Sequence, residues 1–189
     1  MILIRHGQSE FNVVYGKTRI DPGIRDPKLT ALGCRQAFAA AHTIKEHAPR
    51  RIVTSPYSRA LQTAAIAAEI LGLEIAIDPG VGERAAFTCD IGTPRSQLER
   101  DWPQLDFRHI EETWWPVLEE SEAALDARGR AFRAEMHSAG DWEGTVVITH
   151  WGFIRTLTGH TVGNCTVLRF DPSAEHPGGG TVVSDTDVC

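Results

Sequence analysis

Two histidines and two arginines stand out because each lies at or shortly beyond the end of a short apolar run typical of a buried strand. Arg5 and His6 end the first run. Arg59 lies one helical turn after the second run, and His150 follows the fourth. Guanidinium groups are charged forks that match phosphate oxygens, and a neutral imidazole is a competent nucleophile at physiological pH. These residue types predict a phosphate site at which a histidine attacks phosphorus.

A carboxylate near the same site would complete this chemistry. Glu83 lies in the loop after the third predicted strand, and Asp90 is the alternative a few residues later. A leaving alkoxide needs a proton, which a carboxyl group can donate, while the arginines stabilise the phosphoryl oxygens during in-line transfer. We therefore expect phosphate, sulfate or vanadate to bind in this pocket.

The elements that would position these groups alternate between strand and helix. Strands are predicted at residues 1–5, 51–54, 73–77, 145–149 and 166–170, and helices at 31–46, 57–71, 94–102, 121–137 and 153–158. The alternation predicts an α/β fold with three layers, in which a mostly parallel central sheet has helices on both faces. Ligands of such sheets bind beyond the carboxyl ends of the strands, where the candidate residues lie.

Polar residues before three of the helices predict where those helices begin. Thr30 is a plausible N-cap for the helix at 31–46. Ser55-Pro56 and Thr93-Pro94 each have the form of a cap residue followed by proline at the first helical position.

Composition and charge narrow the class of protein. The chain has 189 residues, of which 42% are hydrophobic and 23% charged, so we expect a single domain over 1–189. A flexible tail is expected from about residue 172. Within it, Val182 and Val183 either form a last short strand or fray. A net charge of −6 disfavours nucleic acid or a membrane as partner. The four cysteines form no C-x-x-C pair and no apolar run is long enough for an export signal, which predicts a cytoplasmic protein. The oligomeric state stays open.

Four ordered segments carry a family resemblance. RHGQSEFN at 5–12 closely resembles the signature of the histidine phosphatase superfamily, the phosphoglycerate-mutase-like clan, and of its small phosphatase-type branch in particular. DPKLT at 26–30 with the downstream Gly33 and Gln36, TSPYSRALQTA at 54–64 and THWGFIR at 149–155 are similar to later segments of that family in the same order. The resemblance extends from the N-terminus to about residue 160 and implies the same α/β fold.

The resemblance also implies a role for each matching residue. His6 would be the nucleophile that becomes phosphorylated, and Glu83 lies where the family has its proton donor. The phosphoryl group would be held by the catalytic His150 together with Arg5, Arg59, Asn12 and Ser9. The resemblance implies no metal and no cofactor.

Other residues near these segments have two possible roles each. Arg84 is a candidate substrate contact or one half of a surface ion pair, and Trp151 would narrow the pocket or stack on the substrate. Three tryptophans form either a small core of their own or a ligand platform: Trp102, Trp114 and Trp115. Three cations lie in a predicted loop that overhangs the pocket or is merely solvated: Lys17, Arg19 and Arg25.

The function predicted from these features is that of a metal-independent phosphomonoester phosphatase, acting through a phosphohistidine on a small phosphorylated molecule. The first alternative is a phosphoglycerate-type mutase, which the absence of an Arg-Arg pair between Glu83 and His150 disfavours. The second is a regulatory module that binds a phosphorylated ligand with weak catalysis. The physiological substrate is not specified by the sequence.

Overall fold

The computed structural model describes residues 1–117 and 119–185. Within them, six strands form one sheet, and six α-helices accompany it. The strands are β1 (Ile2–Arg5), β2 (Arg51–Thr54), β3 (Ile75–Ile77), β4 (Thr145–Thr149), β5 (Val167–Phe170) and β6 (Gly180–Ser184). The helices are α1 (Glu10–Thr18), α2 (Ala31–Lys45), α3 (Ser58–Leu71), α4 (Arg95–Asp101), α5 (Glu122–Ala139) and α6 (Trp151–Thr158).

The sheet has the strand order β3-β2-β4-β1-β5-β6. The pairs β2–β3, β2–β4 and β1–β4 are parallel, whereas β5 and β6 are antiparallel to their neighbours. The mixed α/β fold with a mostly parallel sheet is therefore confirmed. Since β1, β2 and β4 are adjacent and parallel, the residues that follow them meet at one edge of the sheet.

Side chains on the central strands alternate between two cores. Ile2, Ile4, Val146 and Ile148 pack on one face against the alanine-rich sides of α2 and α3. Leu3 and other side chains of the opposite face pack against α5 and α6 through Leu125, Phe132, Phe153 and Leu157. Successive residues of a strand point to opposite faces, so the central strands β1 and β4 are buried on both sides and are rich in Val, Ile and Leu.

Helix α1 is an element that the sequence patterns did not predict. Ser9 caps it, since its Oγ accepts from the Asn12 N–H while the Asn12 side chain accepts from the Ser9 N–H, which is a capping box. The helix ends at Arg19, whose backbone is left-handed with φ 56°. The residues predicted as a loop over the pocket are therefore partly helical.

The two predicted cap-plus-proline starts are wrong, because carboxylates distant in the chain bind the first turns instead: Asp26 at α3, and Glu112 at α4 through the Ser96 N–H at 3.1 Å. Tyr57, not Ser55, occupies the N-cap of α3 and makes no side-chain capping bond. Asp26 instead accepts from the Ser58 N–H and hydroxyl, both at 2.8 Å. The Thr93 hydroxyl donates to the same carboxylate at 2.6 Å and does not cap α4. Elsewhere the predicted boundaries differ from the observed ones by one or two residues.

The predicted tail includes ordered structure. Gly180–Ser184 forms β6, in line with the strand alternative, and Arg133 on α5 donates to backbone carbonyls of the preceding segment, including those of Pro172 and Ala174. Residues 186–189 lie outside the described residues. Among the described helices, none is both long and apolar enough to span a bilayer.

Candidate active site

His6 directly follows β1 and is almost fully buried, with 3% of its surface exposed. The backbone N–H of His6 donates to the Thr149 carbonyl at 2.9 Å, and the ring Nδ1 lies 2.8 Å from the Gly7 carbonyl oxygen. A carbonyl only accepts, so Nδ1 carries the hydrogen and Nε2 keeps its lone pair. Burial, together with the nearby Arg59 and Arg5, holds the pKa of His6 well below 6.5. The ring is therefore neutral at physiological pH, as a nucleophile must be.

The loop after His6 is clamped between two helices. A Cβ on Gly7 would overlap the carbonyl oxygen of Gly33 at the start of α2, so only glycine fits there. The Gly7 N–H donates to Thr63 Oγ1 on α3 at 3.1 Å. These contacts fix the backbone beside His6, and with it the direction in which Nε2 points.

His150 follows β4 and is fully buried at the N-terminus of α6. Its ring centroid lies 5.1 Å from that of His6. Burial and the nearby Arg59 hold its pKa well below 6.5. Its Nδ1 has no hydrogen-bond partner among the described residues. Because buried polar atoms are nearly always paired, this nitrogen is a candidate contact for a phosphoryl oxygen.

Ser55 is a site residue that the sequence reasoning missed. It directly follows β2, and its Oγ is 2.6 Å from Nε2 of His150. A neutral imidazole carries one hydrogen, so Nδ1 of His150 can donate to an anion only when the Ser55 hydroxyl donates to Nε2. The signal that could have identified Ser55 is its position directly after a strand at the same edge of the sheet.

Arg59 lies in the first turn of α3 and is buried against Asp90. Its Nη2 is 3.0 Å from Asp90 Oδ1, and its Nη1 donates to the Cys89 carbonyl at 2.8 Å. The nearby Asp90 carboxylate raises the pKa of Arg59 although burial opposes this. The guanidinium has five N–H groups, so it keeps donors for the cavity that it lines.

Asp90, the alternative proton donor, is occupied by structural contacts. Besides its ion pair with Arg59, its Oδ2 accepts from the backbone N–H groups of Ala86 and Phe87, both at 3.1 Å. Both carboxylate oxygens of Asp90 are therefore engaged by partners within the protein. The geometry therefore favours Asp90 as the residue that positions Arg59 and the adjacent loop.

Arg5 lines the cavity from the end of β1. Its Nη1 donates to the Val162 carbonyl at 2.9 Å, and its Nε is buried without a partner among the described residues. Burial lowers the pKa of Arg5 to about 10, so the group stays charged at neutral pH. Arg5 and Arg59 together make this end of the cavity cationic although the chain carries a net charge of −6.

Ser9 and Asn12 line the cavity, but their polar atoms are partly used in capping α1. The Ser9 hydroxyl donates to Asn12 Oδ1 at 3.0 Å, and Asn164 Nδ2 lies 3.2 Å from the same oxygen. With Oδ1 used in this way, the Asn12 amide hydrogens are the part of the side chain suited to an anion. Asn164 also donates to the His6 carbonyl at 3.1 Å. Asn164 is not among the predicted site residues, since a single asparagine in a late loop carries no signal for catalysis.

Glu83 lies on the loop after β3, and its Oε1 accepts from the N–H groups of Arg84 and Gly152, both at 2.9 Å. Burial raises its pKa above 4.5, and the nearby Asp90 carboxylate adds to the effect. A glutamate whose pKa is raised remains protonated at higher pH, which suits a general acid. Since Oε1 accepts two hydrogen bonds, Oε2 is the oxygen left to carry the proton.

The two residues predicted to contact the substrate, Arg84 and Trp151, have different surroundings in the structure. The Arg84 guanidinium binds away from the phosphoryl end, to Glu122 at 2.6 Å, to Glu119 at 3.2 Å and to the Glu120 carbonyl at 2.9 Å. The surface ion pair is therefore the role that the geometry favours, although its side chain still contributes to the wall. Trp151 begins α6 and lines the cavity.

Apart from His150 and Ser55, these groups line one cavity of about 540 Å³. Its lining includes Arg5, His6, Ser9, Phe11, Asn12, Tyr15, Arg19, Arg59, Glu83, Arg84, Phe87, Asp90, Trp151 and Asn164. Of the three cations predicted near the mouth, Arg19 contributes to this lining. The small-core interpretation fits Trp102 and Trp114, which pack on Leu98 and Phe107, and Trp115 lies edge-on to Trp114 at 5.5 Å. Within residues 1–117 and 119–185, no three His, Cys, Asp or Glu side chains are grouped as metal ligands.

Comparison with known proteins matches the same segments. The model of the histidine phosphatase superfamily (branch 1) matches residues 1–172. A Mycobacterium tuberculosis protein named glucosyl-3-phosphoglycerate phosphatase is 32% identical over 167 residues, which cover 84% of this chain and 73% of that protein.

Solved structures show the same relationship. A mycobacterial glucosyl-3-phosphoglycerate phosphatase in complex with inorganic phosphate is 26% identical, with a TM-score of 0.59 and coverage of 89% of this chain and 87% of that one. A complex of the mycobacterial enzyme with VO3 shares the fold at a TM-score of 0.64 over 97% of both chains, with 24% identity. The chain therefore belongs to the histidine phosphatase superfamily, branch 1, and is a phosphoric monoester hydrolase.

Proposed function

We propose that this phosphatase hydrolyses a small phosphomonoester through a phosphohistidine on His6, without a metal ion. The observation that carries the proposal is the state of the His6 ring. Its Nδ1 hydrogen is committed to the Gly7 carbonyl at 2.8 Å, and its pKa is held well below 6.5. Nε2 therefore has a free electron pair at neutral pH, in a cavity whose walls carry two guanidinium groups.

In the first step, Nε2 of His6 attacks phosphorus, so that an N–P bond forms while the bond from phosphorus to the leaving oxygen breaks. Arg5, Arg59, Nδ1 of His150 and the amide of Asn12 hold the phosphoryl oxygens. Their contribution grows in the transition state because it spreads charge over those oxygens. Glu83 donates its proton to the leaving oxygen, and an alcohol departs.

In the second step, water replaces the alcohol. The Glu83 carboxylate, now deprotonated, takes a proton from the water as its oxygen attacks phosphorus, and the N–P bond breaks. Inorganic phosphate leaves, His6 recovers its electron pair and Glu83 is protonated again. The raised pKa of Glu83 supports both roles, because a carboxyl group with a pKa nearer neutrality exchanges its proton more readily at that pH.

The substrate is a small phosphorylated organic molecule. The relatives named for glucosyl-3-phosphoglycerate support placing that compound in the first set to be tested. A mutase would have to retain and reorient a charged product. The neutralisation of Arg84 by Glu119 and Glu122 at the cavity wall favours hydrolysis over that reaction.

The intermediate can be tested by rapid quench with a ³²P-labelled phosphomonoester. We expect label bound to the protein that is lost in acid and retained in base, as for phosphohistidine, and absent in His6→Ala. The matched control His42→Ala changes an exposed histidine and should retain the label. Labelling of folded His6→Ala to the wild-type level would rule out His6 as nucleophile.

The metal and anion predictions need a separate assay. A panel of phosphorylated metabolites should be hydrolysed equally with and without EDTA, and vanadate should inhibit hydrolysis and raise the melting temperature by binding the folded state. Loss of activity in EDTA that returns with a divalent cation would contradict the metal-independent mechanism.

A further inference from the structure

Three aromatic rings, here called the aromatic wall, form one side of the cavity: Phe11, Tyr15 and Phe87. Phe11 and Tyr15 lie one turn apart on α1 with stacked rings, 5.1 Å between centroids and 15° between planes. Phe87 comes from the loop after β3 and lies 5.1 Å from Tyr15 and 5.7 Å from Phe11. Two separate chain segments thus present one continuous apolar surface beside the phosphoryl site.

Phe87 is the exposed member of this wall. It is 41% exposed, whereas Phe11 is 7% exposed. Its backbone is held in place, because its N–H donates to the Asp90 carboxylate that also pairs with Arg59. An apolar ring that stays partly exposed while its backbone is anchored to the phosphoryl site is well placed to contact a bound molecule.

The size and charge of the cavity point to the same kind of ligand. A volume of about 540 Å³ lies in the range of pockets that hold drug-sized molecules, which leaves room beyond a phosphoryl group. Arg84 at the wall is neutralised by two glutamates, and Arg19 at the mouth lies 5.8 Å over the Tyr15 ring. The leaving-group end therefore offers mainly ring faces, including Trp151, rather than a set of cations for a second anion.

We propose that the leaving group of the preferred substrate carries a neutral ring with an apolar face, which packs on the aromatic wall of Phe11, Tyr15 and Phe87. Burial of such a ring contributes binding in proportion to the apolar area removed from water, and stacked or edge-to-face contacts with the wall add to it. This inference rests on the proposed phosphatase function and specifies the class of alcohol that is released.

The experiment compares two phosphates whose leaving alcohols have similar acidity, benzyl phosphate and ethyl phosphate. We expect kcat/KM for benzyl phosphate to exceed that for ethyl phosphate by about tenfold or more, the scale of a buried apolar ring. Phe87→Ala should reduce that ratio to about threefold or less, chiefly by lowering kcat/KM for benzyl phosphate. Circular dichroism checks that the variant is folded.

The matched control is Phe38→Ala, which removes an exposed phenylalanine of α2 that does not line the cavity. It should keep the wild-type ratio. A second variant, Phe87→Leu, retains apolar bulk without the flat ring and should give an intermediate ratio. If Phe38→Ala lowers the ratio as much as Phe87→Ala does, the assignment to the aromatic wall is wrong.

Two further substrates distinguish the kinds of ring. Cyclohexylmethyl phosphate should be hydrolysed nearly as well as benzyl phosphate, because the proposal requires an apolar face rather than aromaticity. A clear preference for glucose 6-phosphate over both would overturn the proposal in favour of a hydroxyl-rich leaving group. Equal rates for benzyl and ethyl phosphate would overturn it while leaving the phosphatase function intact, whereas hydrolysis of neither would overturn the proposed function itself.

Discussion

At the phosphoryl end of the cavity, His6 and His150 directly follow two adjacent parallel strands, while at the leaving-group end Glu83 and Phe87 lie on the loop after β3. The strand-end histidines are both buried, with 3% of His6 and 0% of His150 exposed. On the loop, the Glu83 side chain accepts from the Arg84 and Gly152 N–H groups, and the Phe87 N–H donates to Asp90. The Phe87 ring is partly exposed. We infer that the chemistry of phosphoryl transfer depends chiefly on the residues at the strand ends, whereas the choice of alcohol depends more on side chains of the loop after β3.

This contrast makes a general prediction about substitutions. Changes at the phosphoryl end should reduce hydrolysis of every phosphomonoester by a similar factor, because each substrate carries the same phosphoryl group. Changes at the leaving-group end should depend on which alcohol is released. Two assay substrates test this, p-nitrophenyl phosphate, whose phenolate departs without a proton, and an alkyl phosphate, whose alkoxide needs one.

The largest effect is expected at the nucleophile. His6→Ala should lower kcat by roughly 10⁴-fold or more on both substrates, as expected when a covalent step is removed. Because His6 is buried rather than exposed at the rim, the variant also loses packing, so folding is checked by circular dichroism. A loss on only one of the two substrates would break the proposed division between the two ends.

Substitution of the proposed acid, Glu83, should affect the two substrates unequally. Glu83→Gln keeps the acceptor for the Gly152 N–H but cannot transfer a proton, so kcat on the alkyl phosphate should fall by about 10²-fold and much less on p-nitrophenyl phosphate. The decline in rate at high pH should change in the variant, because the acid must stay protonated to act.

Asp90→Asn provides the contrast to Glu83→Gln. It leaves the buried Arg59 charge without its partner, so it should lower both rates alike and reduce stability by about 3–5 kcal/mol, the scale for breaking a buried pair. If Asp90→Asn instead gives the substrate-dependent loss, Asp90 is the acid and the comparison of the two ends must be redrawn.

A smaller effect is expected from Arg128 on α5, outside the cavity. Its Nη1 donates to the carbonyls of Gly80 and Gly82 at 2.9 Å, and Glu120 holds the guanidinium at 2.7 Å. Arg128→Gln should loosen the loop that carries Glu83 and cost about tenfold on the alkyl phosphate, a fraction of the general-acid effect. The p-nitrophenyl phosphate rate should hardly change, which distinguishes positioning from general instability.

A neighbouring arginine of the same helix serves as the control for Arg128→Gln. Arg130 is exposed and pairs with Asp126 within α5, so Arg130→Gln should leave both rates near wild type. Equal losses in the two variants would show that α5 affects activity through overall stability rather than through the Glu83 loop.

The smallest effect concerns stability against pH. The pKa values of His6 and His150 are held below 6.5 in the folded protein by burial, so below about pH 6.5 the unfolded chain binds more protons. The free energy of unfolding should therefore fall as pH drops from 7 to 5. Glu83, whose pKa is raised, acts in the opposite direction, so urea unfolding is best measured in Glu83→Gln. A flat profile in that variant would contradict the neutral state of both histidines.

Local sequence patterns are sufficient to predict the α/β class, the parallel core strands and the candidate residues that follow them. These features depend on local patterns: apolar runs of strand length, Thr30 as a helix cap, and motifs in which Arg5, His6, Arg59 and His150 keep fixed positions relative to strand ends. The start of α3 was predicted wrongly because its cap is Asp26, which lies far away in the chain, and no local rule identifies such a partner.

Contacts between segments that are distant in the chain complete the site. The hydrogen bond from Ser55 to His150, the pairing of Asp90 with Arg59 and the neutralisation of Arg84 join residues separated by tens of positions. The aromatic wall likewise forms only when α1 and the loop after β3 come together. Motif spacing indicates which chemistry is present. Hydrogen bonding, burial and the resulting pKa values depend on neighbours in space. Those neighbours come together only when the sheet and its helices are packed.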